Sequence, residues 1–214
     1  MSCFFDLHVH SSISPCSILS LEEILAEARS LSLDGVCITD HNTLEAGILV
    51  REGIQEDGLC VIIGQEYSSL DGHFLIFGPE KEFEPYLPGE EISRRVTRLG
   101  GVMIASHPYR AMQKVNERLA SSGIISYAEG LNGRNSGLEN SLAQLWHDKY
   151  GISLTGGSDA HSIEELGRVG TFFSEPVRSR EELVKALLSK NCRPVHNPHF
   201  RQKARWMRSL VTHW

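Results

Sequence analysis

The sequence has no long hydrophobic run. No apolar stretch among its 214 residues approaches the roughly 20 residues that a membrane-spanning helix needs. The start, MSCFFDLHVHSS, also lacks the basic region and following apolar stretch of a secretory signal. We therefore expect a cytoplasmic protein with no membrane partner.

Paired cysteines are lacking as well. A disulfide framework uses an even number of cysteines, and a structural zinc site uses a closed set of four Cys and His ligands. Here the number is odd and no CxxC motif occurs, which fits a reducing compartment and argues against both classes. The five residues are Cys3, Cys16, Cys37, Cys60 and Cys192.

The chain has no excess of positive charge. Its 21 Lys and Arg against 27 Asp and Glu give a formal charge of −6. This balance argues against a protein that coats nucleic acid or is drawn to acidic membranes, so we expect no stable nucleic-acid partner. A small phosphorylated substrate, including a nucleotide or short oligonucleotide, is not excluded, because bound metal cations reverse the local charge. The oligomeric state is left open.

Short apolar segments alternate with amphipathic ones along the chain, and no linker separates them into domains. Ser20, followed three residues later by Glu23, predicts a capping box at the first helix. Alternation of this kind is typical of parallel βαβ units, and seven or eight units favour a small or distorted β/α barrel. We expect one α/β domain over residues 1–200 and a basic tail at 201–214. Among the predicted elements are a strand at 59–69 and helices at 43–58 and 111–123.

Histidines and carboxylates lie where the predicted strands end. Side chains at i and i+2 on a strand point to the same face, so His8 and His10 can reach one cation, and Asp159 with His161 repeats this geometry. In a β/α barrel such strand ends form one active-site face. The other residues at these ends are Asp40, His41, Glu66, His107 and Asn132.

This pattern predicts a metal centre. One HxH motif is common by chance, and any one histidine alone is better explained by a hydrogen-bonded core or surface role. Six histidines, including His73, with Glu66 and Asp159 are not explained in that way. A set rich in imidazole and carboxylate suits Zn²⁺, Mn²⁺ or Fe²⁺. Because a catalytic ion uses about three protein ligands, the set predicts two or three divalent ions.

The motifs DLHVHSS, ITDHNT, GQEYSSLDGHFLIFG, ASHPYR and GGSDAHS, in this order, resemble the PHP (polymerase and histidinol phosphatase) family and its stand-alone phosphoesterases. The resemblance implies a distorted (β/α)7 barrel with a trinuclear metal site. It implies that His8, His10, Glu66 and Asp159 hold one metal. His41 and His161 would hold a second, and Glu66 would bridge to a third at His73 and His107.

The activity that the resemblance implies is hydrolysis of a phosphate ester by a metal-activated water. The substrate would be a small phosphorylated metabolite or a nucleotide. Alternatives within hydrolases are a short-oligonucleotide exonuclease, a histidinol-phosphatase-like enzyme and a phosphotyrosine phosphatase. An alternative from another class is a catalytically degenerate, metal-binding regulatory module.

One position departs from the family pattern. The family usually places Asp, Glu or His a few residues after the HxH motif, whereas this sequence offers Cys16. A thiolate ligand at this position would favour Zn²⁺ or Fe²⁺. The alternative is a small buried residue, with water or phosphate in the open coordination place.

Further residues are candidates for supporting roles. Asp6 and Asp40 either orient the imidazoles of metal ligands or cap strand ends. Arg110 and Arg134 either clamp the substrate phosphate or form surface salt bridges. A histidine that metal does not saturate, His41 or His161, is a candidate for protonating the leaving group.

Overall fold

The computed structural model describes residues 2–200, which contain eleven strands and six helices. The predicted basic tail at 201–214 lies outside the described residues. The strands are β1 (Cys3–Val9), β2 (Gly35–Ile38), β3 (Gly53–Ile54), β4 (Cys60–Ile63), β5 (Gln65–Ser69), β6 (Gly72–Phe77), β7 (Val102–Ala105), β8 (Tyr127–Asn132), β9 (Ser153–Gly157), β10 (Val169–Phe173) and β11 (Cys192–His196). The helices are α1 (Leu21–Ser30), α2 (Ala46–Leu49), α3 (Gly89–Arg98), α4 (Arg118–Ser121), α5 (Gly137–Tyr150) and α6 (Arg180–Leu188).

The strands of residues 2–200 form two mixed sheets and no closed ring. The first has the order β11-β10-β1-β2-β4-β3 and the second β5-β6-β7-β8-β9. Parallel pairs join β1 to β2, β2 to β4, β7 to β8 and β8 to β9, and the remaining pairs are antiparallel. The predicted α/β class is confirmed. A closed (β/α)7 barrel of parallel units is not seen in this part of the chain.

The chain changes sheets at Gly64. The single strand predicted at 59–69 is two strands, β4 and β5, with this glycine between them. Its N–H donates to the carbonyl of Ile38 at 2.9 Å, and an added Cβ would lie 2.6 Å from the Phe77 ring. Beyond it, β5 and β6 form an antiparallel hairpin. A hairpin needs only a short turn, so it takes the place of the crossover that a parallel barrel requires.

The sheets meet first where β9 lies beside β10 and β1. The Thr171 hydroxyl donates to the carbonyl of Gly156 at 2.8 Å and accepts that residue's N–H at the same distance. Two residues after the end of β9, the N–H of Asp159 donates to the carbonyl of His8 at 2.7 Å. This junction therefore places the chain after β9 against the end of β1.

A second junction lies where the chain after β2 meets β5. His41 and Glu66 form an isolated parallel bridge, and the N–H of Asn42 donates to the carbonyl of Glu66 at 3.0 Å. Residues that the sequence marks as metal-binding therefore lie at both places where the sheets join.

Apolar side chains from both sheets form the central core. Phe5 and Ile62 of the first sheet and Ile104 of the second are fully buried in one cluster, and Leu183 and Leu187 of α6 cover it. Two further clusters lie on the outer faces, one beneath α3, α4 and α5 and one beneath α1. The sheets are thus buried on both faces, which explains their nearly continuous apolar runs.

Local chemistry explains the limits of several helices. The capping box at α1 is confirmed, since the Ser20 hydroxyl accepts the N–H of Glu23 and the Glu23 carboxylate accepts the N–H of Ser20. The helix predicted at 43–58 covers only α2, because the chain becomes extended at Val50 (φ −129°). The helix predicted at 111–123 is likewise reduced to α4.

Strand β11 was not predicted, because only its pairing with β10 forms it.

The sequence predicts neither a membrane-spanning helix nor a disulfide framework. Within residues 2–200, no helix combines the length and apolar character needed to cross a membrane. The five cysteines all lie in this range and are free thiols.

Candidate metal centre

Two histidines at the end of β1 begin the cluster. His8 lies in β1, His10 follows it directly, and both are fully buried. Their spacing places both rings on one face, and their Nε2 atoms lie 3.0 Å apart. Two ring nitrogens this close need a proton or a cation between them.

Two carboxylates complete a four-donor cage around these nitrogens. Glu66 Oε2 lies 3.5 Å from His8 Nε2 and 3.2 Å from His10 Nε2. Asp159 Oδ1 lies 3.3 Å and 3.4 Å from the same two atoms. Ligands 2.0–2.1 Å from a tetrahedral zinc ion lie about 3.4 Å from one another. The four donors therefore have the mutual spacing of a divalent-metal site.

The second oxygen of Glu66 faces two other histidines. Glu66 Oε1 lies 3.0 Å from His107 Nε2 and 3.4 Å from His73 Nδ1. His41 Nδ1 lies 3.2 Å from Oε2. This buried carboxylate is thus in contact with five imidazoles, and its two oxygens face different sets of them.

Cys16 belongs to a further group of donors. Its Sγ and one ring nitrogen each of His10, His41 and His161 lie within 4.8 Å of one another. Cys16 is exposed, so the alternative of a small buried residue is wrong. Burial of part of its side chain still raises the pKa of the thiol.

Glu129, which the sequence analysis missed, supports the cluster from behind. It is fully buried in β8. Its Oε1 lies 2.9 Å from His8 Nδ1, and its Oε2 accepts the backbone N–H of His107 and the side-chain amide of Asn132, each at 2.8 Å. A carboxylate on the far nitrogen of a metal-binding imidazole fixes its tautomer and orientation. The available signal was an acidic residue inside the apolar strand IISYAEGLNG.

Three histidines of the cluster each have one buried ring nitrogen without a hydrogen bond. Among residues 2–200, Nδ1 of His41, His73 and His107 is buried without a hydrogen-bond partner. An unsatisfied buried polar atom costs about 1–3 kcal/mol. A cation between the His73 nitrogen and the Glu66 carboxylate would satisfy both groups, and a cation at His41 would satisfy its ring nitrogen. The residues present therefore fit a resident metal.

The charges of the cluster also favour cations. Burial lowers the pKa of His8, but the charges of Asp159 and two glutamates outweigh burial and raise that pKa well above its usual value. Burial raises the pKa of Glu66, but the imidazoles around it, His8 foremost, hold it well below its usual range. Burial lowers the pKa of His41 to about 4, which leaves a neutral ring at neutral pH. The carboxylates thus favour a positive charge at His8. A metal ion bound there would take the place of the ring proton, because metal binds ionised carboxylates and neutral imidazoles.

Asp40 acts on the cluster through serine hydroxyls. Its carboxylate accepts the hydroxyls of Ser11 and Ser14, each at 2.6 Å. Ser14 Oγ in turn accepts the N–H of His41 at 3.0 Å and lies 3.5 Å from His10 Nδ1. Asp40 therefore orients the histidines indirectly, by ordering the loop after β1.

Asp6 fixes backbone at the ends of β1 and β9. Its carboxylate accepts the N–H groups of His8, Ser158 and Gly167 at 2.8–3.2 Å. Burial raises its pKa to about 6. Of the two roles considered for Asp6, these contacts favour the strand-end cap.

Two cluster residues have an unusual backbone conformation. His107 and Asp159 adopt positive φ angles of 31° and 57°, which few residues other than glycine do. The N–H of His107 is held by Glu129, and that of Asp159 by the carbonyl of His8. Strained backbone that its surroundings hold in place is concentrated at functional sites.

The two arginines lie at the rim of the cluster, and each is already paired. Arg110 Nη1 lies 2.6 Å from Asp159 Oδ2, and Nη2 donates to Asn132 Oδ1 at 2.7 Å. Arg134 Nη1 lies 3.0 Å from His161 Nδ1. The role of either arginine as a clamp on substrate phosphate stays a prediction.

Gly157→Ala is expected to destabilise the protein by about 1–3 kcal/mol, the usual cost of overpacking. An added Cβ would lie 2.5 Å from the His8 Cβ and 3.0 Å from Glu129 Oε1, and both residues are buried. Denaturant unfolding measures the effect. The matched control is Gly137→Ala at the start of α5, where nothing lies within 4 Å of the new Cβ. Equal unfolding free energies for the two variants would contradict the prediction.

Fold and site together define a class: an α/β protein with a buried cluster of imidazoles and carboxylates that could bind metal. A family model for the PHP domain matches residues 6–161, and one described as PHP-associated matches residues 137–192. The chain belongs to the PHP domain family of metal-dependent phosphoesterases.

The chain is also similar to proteins of other organisms over half of its length or more. An uncharacterized protein of Methanocaldococcus jannaschii is 30% identical over 119 residues, covering 51% of this chain and 70% of that protein. A protein of Caldicellulosiruptor bescii named "Probable phosphatase" is 25% identical over 198 residues, covering 76% of this chain and 82% of its own.

Solved structures share the fold. PsfC from Pseudomonas syringae has a TM-score of 0.70 at 15% identity and covers 98% of this chain and 99% of its own. A two-domain protein from Bacteroides vulgatus, described as containing a "predicted PHP-like metal-dependent phosphoesterase", has a TM-score of 0.72 at 19% identity. It covers 92% of this chain and 65% of its own.

Proposed function

We propose that this chain hydrolyses a phosphate ester of a small metabolite or nucleotide, using two or three divalent Zn, Mn or Fe ions. One observation carries the proposal: the Glu66 carboxylate lies within 3.5 Å of five imidazole nitrogens, divided between its two oxygens. A carboxylate placed in this way can bridge two cations. Adjacent cations suit phosphoryl chemistry, because they neutralise charge on both the attacking and the leaving oxygens.

The donors divide into three positions. One ring nitrogen binds one cation, so each histidine serves one position, whereas the two oxygens of Glu66 can serve two. The first position consists of His8, His10, Glu66 and Asp159, the second includes His41 and His161, and the third consists of His73, His107 and Glu66.

Bound ions would polarise the phosphate and bring the pKa of a water close to neutrality. The chain's own residues hold this centre in shape. Arg110 keeps Asp159 in place, and Glu129 orients His8. Arg110 and Arg134 are our candidates for holding a substrate phosphate, since a guanidinium binds phosphate through two parallel hydrogen bonds. A histidine of the second position that metal does not saturate, His41 or His161, is our candidate for donating a proton to the leaving group.

The connections around the cluster favour a small substrate. Between His73 and His107 the chain forms the rest of β6, α3 and β7, and between His107 and Asp159 it forms α4, β8, α5 and β9. These intervals hold no inserted substrate domain in the described chain. The overall charge of −6 also gives no support for a long nucleic acid.

The test combines elemental analysis with Mn²⁺-supplemented hydrolysis of an aryl phosphate and a nucleotide panel. Two or three ions per chain are expected, and His10→Ala and Asp159→Ala should each lose metal and lower the rate by about a thousandfold or more. His199→Ala, at an exposed histidine, is the control. Bound metal without turnover of any phosphoester would favour the regulatory module, and no metal after reconstitution would overturn the proposal.

A further inference from the structure

Cys16 differs in chemistry from every other donor of the cluster. Its sulfur lies with ring nitrogens of His10, His41 and His161, all within 4.8 Å. The other two candidate sets found in residues 2–200 consist of imidazoles and the Glu66 carboxylate. The sulfur-containing set is therefore the one without a carboxylate.

The ligands left for a second metal ion indicate which ion Cys16 would bind. His10 Nε2 already lies 3.2 Å from Glu66 and 3.4 Å from Asp159 in the four-donor cage, so it is committed to the first ion. Cys16, His41 and His161 then remain for a second ion. Three protein ligands and one open place are the usual arrangement of a catalytic zinc site. Without the sulfur, only two protein ligands would remain.

The loop around Cys16 is fixed to the same metal-binding residues. Before it, the Ser14 hydroxyl accepts the N–H of His41 at 3.0 Å. After it, the Ser17 hydroxyl donates to the carbonyl of His10 at 2.8 Å, and the N–H of Ile18 donates to the carbonyl of His161 at 3.2 Å. Contacts on both sides therefore hold the cysteine against the histidines.

We propose that Cys16 binds the second ion as a thiolate together with His41 and His161, so that the centre has one soft position beside two positions that contain carboxylate. Thiolate and imidazole favour Zn²⁺ and Fe²⁺, whereas carboxylate suits Mn²⁺ and Mg²⁺ better. The centre would thus hold ions of two chemical kinds. This inference rests on the proposed function and deepens it by naming the class of metal at one position.

Cobalt substitution tests the proposal directly. The metal-free protein reconstituted with Co²⁺ should show a near-ultraviolet charge-transfer band. A sulfur–cobalt bond produces this band, whereas the imidazole and carboxylate ligands of the cluster do not. Cys16→Ser should lose the band and one Co²⁺ per chain. Cys16→Asp should regain the ion without the band, because a carboxylate restores the ligand but not the sulfur. Cys192→Ser, which removes a partly buried cysteine in β11, should keep both.

Alkylation gives a second readout that does not depend on spectra or on variants. Zn²⁺ should slow iodoacetamide modification of Cys16 in the wild-type protein at least tenfold, measured on the tryptic peptide. Modification of Cys192 should proceed at the same rate with and without Zn²⁺.

The outcomes separate this inference from the proposed function. A band that persists in Cys16→Ser, or an alkylation rate of Cys16 that Zn²⁺ does not change, overturns the thiolate assignment. Co²⁺ uptake without a band overturns it too, while the phosphoesterase proposal stands. A band without turnover of any phosphoester upholds the assignment and overturns the activity. No uptake at all overturns both.

Discussion

Glu66→Gln is expected to remove at least two bound ions and to lower phosphoester hydrolysis by about a thousandfold or more. The carboxylate contacts His8 and His10 through Oε2 and His73 and His107 through Oε1. A glutamine has the same shape but no charge, and its amide nitrogen has no lone pair to offer a metal. One substitution therefore weakens the first and third positions together.

The measurement is metal content after dialysis, followed by the rate at saturating metal. Excess metal should not restore the rate, because a ligand to two ions is missing. Glu164→Gln, at an exposed glutamate, is the matched control and should behave like the wild type. Cooperative unfolding of Glu66→Gln shows that the fold persists. A full complement of ions in this variant would contradict the bridging role.

Much of the site follows from local sequence pattern. The i, i+2 spacing of His8 and His10 places both rings on one face of β1, and this geometry needs no knowledge of the fold. The convergence of Glu66 and Asp159 on these rings required only that strand ends meet. That expectation holds even though the strands form two sheets, because the junctions between the sheets lie at the same ends.

The remaining features depend on contacts between distant parts of the chain. Gly64 divides an apolar run that looks like one strand, and only the Phe77 ring packed against it shows why a glycine is required. Glu129 was missed because its partner His8 lies 121 residues away. The exposure of Cys16 also follows from how its loop is held, which local pattern does not show.

Glu129→Gln is expected to lower metal affinity by about 10- to 100-fold, the usual effect of losing a carboxylate behind a metal-binding imidazole. Glutamine cannot replace it in either orientation. If its amide nitrogen takes the Oε2 position, the N–H of His107 and the side-chain amide of Asn132 lose their acceptor, because all three groups are then donors. With the nitrogen at the Oε1 position, it would donate to His8 Nδ1 and place the ring proton on Nε2, the atom that faces the cage.

The Glu66→Gln and Glu129→Gln variants should respond differently to added metal. Glu129→Gln keeps every proposed ligand, so excess Mn²⁺ should restore most of its rate, whereas Glu66→Gln should stay inactive at any concentration. A Mn²⁺ titration of activity, with Glu164→Gln as the control, distinguishes a shifted midpoint from a lowered plateau. A midpoint equal to that of the wild type would show that the cluster holds its histidines without Glu129. A lowered plateau would instead place Glu129 among the groups that act on the substrate.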